Sequence, residues 1–276
     1  MKLTFLGTGT SCGVPVIGCQ CSVCRSNDPH DKRLRCSALV ETATTRLLID
    51  CGPDFREQIL TQPFRKIDGL LVTHHHYDHV GGMDDLRPYC HFGDIEVYAD
   101  EISARNIRHN MPYCFTENKY PGVPSINLHE IFPHEPFQIG DLNIMPFTVM
   151  HGKLPILAYR ITATSPLPKE GTGVGLTYIT DMKSIAPSEL PYAMGSNLLV
   201  VNALRFTKPH HSHMLVDEAL RFIRSTDAPQ TYLIHSCHDI GLHAEVNRRL
   251  PQDVQLAYDG MTIEIDTKQT TFKIKN

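Results

Sequence analysis

Residues 73–79 constrain this chain more than any other segment of its sequence. They read Thr-His-His-His-Tyr-Asp-His, so four imidazoles and one carboxylate lie within six residues. Burying such groups without partners is costly, and their natural use in proteins is to bind transition-metal ions. The run follows an apolar stretch at residues 67–72 and precedes Gly81-Gly82, as a functional loop at a strand end would. That setting disfavours a surface histidine tract.

The spacing within this run favours two ions over one. His74 and His76 are two residues apart, so in an extended chain their side chains face the same way. Asp78 and His79 follow directly and can face a second ion. Two residues are out of phase with this pattern and are not expected to be ligands: His75 and Tyr77.

Length, charge and cysteine content limit the class of protein. The 276 residues can bury a substantial core and are compatible with one domain over 1–276. A formal net charge of −4 does not favour a protein that grips a long nucleic acid. The sequence has no apolar run of 18 residues, and its N-terminus reads as a strand rather than a signal peptide. Nine cysteines without a secretion signal indicate thiols or metal ligands, so we expect a cytoplasmic protein.

Short apolar strands alternate with turns and a few helices along the chain. Strands are predicted at residues 3–6, 37–40, 46–49, 69–72, 95–99, 142–149, 157–162, 175–179, 198–202, 231–234 and 262–265. Helices are predicted at residues 55–60, 82–89, 101–110, 216–225 and 242–249. Residues 165–175 predict a hairpin tip. This pattern indicates two sheets with helices on their outer faces.

Three further side chains that can bind metal stand where predicted strands stop. His151 follows the run 142–150, Asp181 follows 176–180, and His235 follows 232–234. A single Asp after a strand is most often a turn residue. A single His is more often a hydrogen-bonded structural residue than a ligand. The prediction of a site therefore depends on the whole set.

Together these residues resemble the metallo-β-lactamase superfamily. The pattern is His-x-His-x-Asp-His followed by a His, an Asp and a His, and it extends from the Leu-Gly-Thr-Gly of residues 6–9 to the last strands. The resemblance implies an α/β fold, an αββα sandwich, with Asp50 supporting the metal loop. The resemblance assigns His74, His76 and His151 to one ion. It assigns Asp78, His79 and His235 to the other ion, and Asp181 to both.

The implied ligand set favours hydrolysis of a phosphodiester. Two ions about 3.5–4 Å apart would lower the pKa of water from about 15.7 to about 7 and neutralise charge on phosphoryl oxygens. Imidazole and carboxylate ligands suit zinc and manganese, and both stay open. The classical lactamases depart from this complete ligand set, so we rank antibiotic hydrolysis low. We count Asp78 among the catalytic residues.

A second metal site is indicated by three thiols within six residues: Cys19, Cys21 and Cys24. Three thiolates need one more ligand to close a tetrahedral zinc site. Cys237 and His238 both follow His235 closely, and we favour His238. Free thiols on a mobile loop are less favoured, because clustered exposed thiols oxidise readily. A closed site here would be structural and would fasten the N-terminal loop to the strand end that carries His235.

The Cys-x-Cys-x-x-Cys segment resembles a narrower group, the phosphoribosyl cyclic phosphate phosphodiesterases related to the enzyme of the carbon–phosphorus lyase pathway. In that group, three cysteines and a His three residues after the last His of the catalytic site bind zinc, and His235 and His238 match this spacing. By the same resemblance His213, which lies 22 residues before His235, would be a general acid or would stabilise the phosphate. His210 and His211 are weaker candidates.

Arg87 follows the metal loop and offers a cation for a substrate phosphate. A surface ion pair with a neighbouring Asp is the favoured explanation, because Arg87 lies in the sequence Asp-Asp-Leu-Arg-Pro.

These predictions combine into a dinuclear metal-dependent phosphodiesterase that acts on a small cyclic phosphate such as ribosyl 1,2-cyclic phosphate. Its expected cofactors are two divalent ions, Mn or Zn, and one structural Zn. We expect a small phosphodiester as partner, no membrane and no stable nucleic-acid partner, and a homodimer is compatible with this interpretation.

Other functions are weighed against this one. The closest rival is a phosphodiesterase for 2′,3′-cyclic nucleotides or short oligonucleotides. A tRNA 3′-processing endonuclease ranks lower, because only 29 residues separate His151 from Asp181, too few for the long arm of its bacterial members. A thiol- and histidine-rich metal buffer ranks lowest, because the ligands sit at strand ends.

Overall fold

The central strands are apolar on both faces, and this decides the layers of the fold. The computed structural model describes residues 1–163, 175–265 and 272–275. In one strand, Leu47 and Ile49 face a core shared by two sheets, whereas Leu48 faces outwards. In a strand of the other sheet, Leu198 and Val200 face the same shared core. Alternate residues of each strand therefore supply different layers.

The first sheet has the strand order β15-β14-β1-β2-β3-β4-β5-β6. Its four-stranded part β1, β2, β14 and β15 is antiparallel, and β3 to β6 run parallel to one another. The strands are β1 Lys2–Gly7, β2 Ser37–Glu41, β3 Arg46–Ile49, β4 Gly69–Leu71, β5 Ile95–Ala99, β6 Ile126–Glu130, β14 Thr262–Ile265 and β15 Phe272–Lys275.

The second sheet has the strand order β13-β12-β11-β10-β9-β8-β7. Strands β7 to β10 are antiparallel, and β10 to β13 run parallel. The strands are β7 Phe137–Ile139, β8 Leu142–His151, β9 Leu154–Ala163, β10 Gly175–Ile179, β11 Leu198–Asn202, β12 Thr231–Ile234 and β13 Val254–Leu256.

Helices cover the outer faces of both sheets. In the described residues the α-helices are α1 Phe55–Leu60, α2 Tyr77–Val80, α3 Glu101–Asn110, α4 Leu190–Ala193, α5 Val216–Ile223 and α6 His243–Asn247. Phe55 and Ile107 pack under the first sheet, and Val216 and Ile223 pack under the second. Fully burying each such side chain stabilises the fold by about 1.5–3 kcal/mol. The predicted αββα sandwich is confirmed.

The structure corrects several predicted elements. The helix predicted at residues 82–89 is a 3-10 helix, Met83–Phe92, that contains Pro88, which has no backbone N–H to donate. The hairpin of β8 and β9 is longer than predicted on both strands. Six short elements were missed: α2, α4, β6, β7, β13 and β15. Of the hairpin tip predicted at 165–175, residues 165–174 lie outside the described residues, and Gly175 begins β10.

Three other short 3-10 helices occur in the described ranges: Pro29–Asp31, Pro112–Cys114 and His238–Ile240. Among the helices of the described ranges, none combines the length and the apolar character needed to cross a membrane.

Candidate metal centre

The strand ends of both sheets meet at one edge of the sandwich. Asp50 follows β3, and the loop with His74 and His76 follows β4. From the second sheet, Asp181 follows β10 and His235 follows β12 directly. Asp50, Asp181 and His235 turn the chain there with φ of 56°, 55° and 53°. Such backbone costs about 1–3 kcal/mol outside glycine, so the surrounding contacts must fix it.

His74, His76 and His151 form the first group of donors. Their ligand atoms all lie within 4.8 Å of one another. His74 Nε2 and His76 Nδ1 are 3.0 Å apart. The second sheet thus supplies a third imidazole to two that come from the loop after β4, and the structure brings these three predicted ligands together.

Asp78, His79, Asp181 and His235 form the second group, whose ligand atoms also lie within 4.8 Å of one another. His79 Nε2 is 3.2 Å from an oxygen of Asp78 and 3.2 Å from Asp181 Oδ2. His235 Nε2 is 3.1 Å from the other Asp181 oxygen, Oδ1. The ligand atom of Asp181 also lies within 4.8 Å of that of His151, so Asp181 stands between the two groups of donors, where a carboxylate shared by two ions would have to be.

Hydrogen bonds at Nδ1 fix which nitrogen of three histidines stays free. His79 Nδ1 donates to Asp50 Oδ2 at 2.7 Å, and His151 Nδ1 donates to the Asp181 and Ser212 carbonyls at 2.9 and 3.0 Å. Thr73 Oγ1 gives its proton to Asp50, so it accepts from His74 Nδ1 at 3.1 Å. Each Nε2 lone pair is then available to a cation, with the ring orientation set by the second hydrogen bond.

Asp50 is buried behind the donors and holds the loop, as predicted. It is fully buried and accepts from the Thr73 backbone N–H at 2.8 Å and from Thr73 Oγ1 at 2.8 Å. Together with the bond to His79, three hydrogen bonds end on this carboxylate. The carboxylate thus fixes both the start of the metal loop and one of its donors.

Several buried nitrogens at this edge have no hydrogen-bond partner within the described part of the chain. They include His213 Nδ1 and His235 Nδ1, and His235 is 1% exposed. Leaving such groups unsatisfied is costly, by about 1–3 kcal/mol each. Imidazole and carboxylate donors in this density suit zinc or manganese. The residues present therefore fit a pair of divalent cations.

The electrostatics of the centre also favour cations. Burial favours the neutral acid, yet His235 and His79 lower the pKa of Asp181 well below its usual value. Burial alone would lower the pKa of His79, but Asp181, Asp50 and Asp78 raise it well above its usual value. Three carboxylates thus favour positive charge at the His79 ring, and a cation at Nε2 can supply that charge.

His213 joins the same centre, whereas Arg87 does not. His213 Nδ1 lies 3.6 Å from Asp181 Oδ1, and its ring stacks 4.8 Å from that of His235. The His210 ring lies 4.8 Å from His213, one layer further out. Arg87 pairs with Asp84 at 2.6 Å on the surface. The favoured explanation for Arg87 agrees with this contact.

The four donors of the predicted structural site also meet. Cys19, Cys21 and Cys24 place their sulfurs 3.2, 3.4 and 3.4 Å from the single nitrogen His238 Nδ1. Cys237, the alternative fourth ligand, is not in this cluster and is buried with its N–H bonded to the Leu204 carbonyl. The choice of His238 agrees with the geometry.

Backbone contacts prepare one of these thiols for a metal. The Cys24 N–H contacts Cys21 Sγ at 3.4 Å and lowers the pKa of the Cys21 thiol to about 6. Burial raises the pKa of Cys24 to about 11. A thiolate at Cys21 is thus available at neutral pH, and thiolates are the form that binds zinc.

Sequence reasoning missed the residues that orient the donors. Thr180 Oγ1 donates to Asp181 Oδ2 at 2.7 Å, and the Ser212 carbonyl accepts from His151. A Thr beside an Asp and a backbone carbonyl carry no recognisable pattern in a single sequence. Only the folded backbone brings them to the site.

Comparisons with known proteins identify the family of this chain. The chain matches the family described as "Beta-lactamase superfamily domain" over residues 45–236. A solved structure described as a new diphosphatase from the PhnP family is 36% identical, with a TM-score of 0.83 and 95% of each chain covered.

Two curated relatives have different names. The chain is 43% identical to an octanoyltransferase of Porphyromonas gingivalis over 274 residues, which is 99% of this chain and 53% of that protein. It is 30% identical to a ribonuclease Z of Methanopyrus kandleri over 137 residues, 48% of this chain and 46% of that protein. The chain thus spans about half the length of these curated relatives.

Proposed function

This chain belongs to the metallo-β-lactamase superfamily. From that premise we propose that it is a metal-dependent hydrolase, a phosphodiesterase for a small cyclic phosphate such as ribosyl 1,2-cyclic phosphate. The observation that carries the proposal is the pair of donor groups that share one edge of the sandwich, with Asp181 close to His151 of the first group and to His79 and His235 of the second. When bound, two divalent ions would activate water and neutralise charge on phosphoryl oxygens.

The chain's own residues would then orient the donors and serve the leaving group. His74, His76 and His151 would hold one ion, Asp78, His79 and His235 the other, and Asp181 both. Asp50 keeps the His79 ring in one orientation through Nδ1. In this assignment, His213 is the imidazole at the metal centre that is not assigned to an ion.

The surroundings of His213 favour its role as a neutral hydrogen-bond donor to a phosphate or leaving-group oxygen. Burial lowers the pKa of His213 to about 2, and its Nδ1 lacks a hydrogen-bond partner among the described residues. A neutral imidazole can still donate an N–H or pass on a proton that the reaction releases. The role of a neutral donor to the leaving-group oxygen is thus favoured over that of an imidazolium acid.

The His213 assignment is tested with leaving groups of different basicity. His213→Ala should slow phosphodiesters with alkoxide leaving groups by about 100-fold or more, and p-nitrophenyl esters much less. Rates on metal-reconstituted protein measure this. An equal loss on both substrate types would contradict a role at the leaving group.

Two of the comparisons suggest other substrates for the same metal centre. The similar PhnP-family structure is described as a diphosphatase, which suggests cleavage of a phosphoric anhydride as a second candidate activity. The ribonuclease Z match supports a nucleotide-directed or RNA-directed phosphodiesterase as the alternative within the same chemistry. Octanoyl transfer is not proposed, since the chain covers 53% of the protein with that name.

A rate comparison on metal-reconstituted protein tests the proposal. The panel contains ribosyl 1,2-cyclic phosphate, a 2′,3′-cyclic nucleotide, a dinucleoside diphosphate and a precursor tRNA. We expect the highest kcat/KM on the ribosyl cyclic phosphate. A higher value on the diphosphate would replace the proposal with the anhydride activity, and cleavage of the tRNA alone would replace it with the endonuclease.

A further inference from the structure

A buried amide stands at the end of β11, the strand that lies between β10 and β12. This strand is apolar up to its last residue, Asn202, whose side chain is fully buried. Burying an amide is costly unless its oxygen and its NH₂ group find hydrogen-bond partners. Asn202 directs both groups at one residue, Met182, which follows Asp181. The partners of this amide therefore lie next to a predicted metal ligand.

The Asn202 side chain holds both backbone groups of Met182. The Met182 N–H donates to Asn202 Oδ1 at 2.7 Å, and Asn202 Nδ2 donates to the Met182 carbonyl at 3.0 Å. Because a backbone N–H can only donate, these contacts also fix which end of the amide faces it. The register of β10 and β11 ends at the pair Ile179 and Val201. The Asn202 side chain thus continues the contact between the two chain segments beyond their last paired residues.

The backbone that Asn202 holds is the backbone that aims Asp181. Asp181 has a φ of 55°, in the left-handed region that residues with a side chain rarely adopt. Its two oxygens lie 3.2 Å from His79 Nε2 and 3.1 Å from His235 Nε2. A small rotation of this backbone would move the carboxylate away from both rings. The two hydrogen bonds on Met182, the next residue, oppose such a rotation.

The Met182 carbonyl also connects to the segment that carries His213. It accepts a second hydrogen bond from the Met214 N–H at 3.2 Å, and Met214 directly follows His213. A carbonyl oxygen has two lone pairs, which Asn202 and Met214 fill together. His213 Nδ1 lies 3.6 Å from Asp181 Oδ1. One backbone residue therefore joins the segments of Asp181 and His213, and Asn202 fixes the position of that residue.

We propose that Asn202 is a positioning residue of the metal centre, which sets the separation of Asp181 and His213 through Met182. The hydrogen bonds that carry this inference end on the Met182 backbone, so Asn202 acts on both side chains indirectly. Its removal should displace the shared carboxylate and the imidazole together. The inference rests on the proposed function, because it concerns the same centre, but its first test needs no substrate.

Metal affinity tests the effect on Asp181. The full-length protein is freed of metal and titrated with Co²⁺, whose absorption distinguishes thiolate-bound ions from ions bound by imidazole and carboxylate. Asn202→Ala should weaken binding at the dinuclear donors by about 10–100-fold, the range for loss of a residue that orients a ligand. Binding at the thiol cluster should equal that of the wild type. If Asn202→Ala fails to fold, Asn202→Asp takes its place, because it keeps the oxygen that accepts from Met182, and the same loss of affinity is expected.

Asn197→Ala is the matched control for this titration. Asn197 stands just before β11, at the opposite end of the strand from Asn202. Its Oδ1 accepts from the Gly175 N–H at 3.0 Å, so it holds the start of β10 through a backbone group. Asn197→Ala should lower the Tm without changing Co²⁺ affinity at the dinuclear donors. If the Asn202 variant behaves in the same way, its role is merely structural and the inference is overturned.

Leaving-group dependence tests the effect on His213. Asn202→Ala should slow adenosine 2′,3′-cyclic phosphate, which expels an alkoxide, more than bis(p-nitrophenyl) phosphate. In the His213→Ala background it should add nothing to this difference, because residues that act together are not additive. An additive effect in the double variant would overturn the connection to His213, while the phosphodiesterase proposal stands. If the wild type hydrolyses neither ester, the phosphodiesterase proposal fails, and the Co²⁺ titration alone decides the role of Asn202.

Discussion

The dinuclear donor group and the thiol cluster differ in what holds them. The first draws on strand ends of both sheets, and His74, His79, Asp181 and His235 are each at most 2% exposed. The thiol cluster takes three of its four donors from one loop of six residues, where Cys21 is exposed and Cys19 partly so. The dinuclear donors are oriented by the fold before any ion binds. The thiol loop has few such supports and should depend on its ion for its own order.

The largest expected effect is at the shared carboxylate. Asp181→Ala should lower the rate of bis(p-nitrophenyl) phosphate hydrolysis by more than about 100-fold. That loss is larger than the loss of about 10–100-fold that is expected when a residue that only supports a metal ligand is removed. The Tm should change little in comparison, since the strands stay in place. Asp217→Ala, on the exposed side of α5, is the control. Retained activity would remove Asp181 from the centre.

A smaller loss is expected one layer behind the donors. Asp50→Asn keeps the shape of the side chain but removes the negative charge of the carboxylate, which accepts hydrogen bonds from His79 and Thr73. We expect metal affinity or kcat/KM to fall by about 10–100-fold. Metal titration and kinetics on the same preparation measure this. Wild-type affinity with wild-type kinetics would show that fold contacts alone orient His79.

The thiol cluster should respond in stability more than in chemistry. Cys21→Ser should remove about one equivalent of zinc and lower the Tm by about 5 °C, as expected for a loss of a few kcal/mol. Cys12→Ser, an exposed thiol outside the cluster, is the control. Metal analysis and thermal melting test it. Unchanged zinc stoichiometry in Cys21→Ser would contradict a structural ion.

The smallest expected effect is a pH dependence at His243, which lies beside the N-terminal loop. Burial, with Arg33 and His30 nearby, lowers the pKa of His243 to about 4. The unfolded chain takes up this proton near pH 6.5, so stability should fall as the pH drops from about 6.5 towards 4. The contribution should be about 1 kcal/mol between pH 7 and pH 5, after allowance for partial exposure. Urea melts of wild type and His243→Gln measure it, and curves that stay parallel would contradict it.

Much of the fold was predictable because hydrophobic burial leaves a periodic signal. The strands at Arg46–Ile49, Ile95–Ala99 and Leu198–Asn202 were predicted with their observed bounds, since each is an apolar run that ends at polar residues. The missed strands are edge or near-edge segments of few apolar residues, such as Phe137–Ile139 and Val254–Leu256. Their strand form is imposed by pairing with a neighbour, which a local pattern does not contain.

The residue types and spacing of residues 73–79 and of Cys19, Cys21 and Cys24 were enough to indicate metal chemistry, because donor chemistry belongs to the side chain itself. The tertiary structure alone decided which nitrogen of these imidazoles stays free, since that depends on the hydrogen bonds that they donate to distant residues such as Asp50 and Ser212. It also decided that Asn202 holds the backbone next to Asp181, because the ends of β10 and β11 meet only after the two strands have paired.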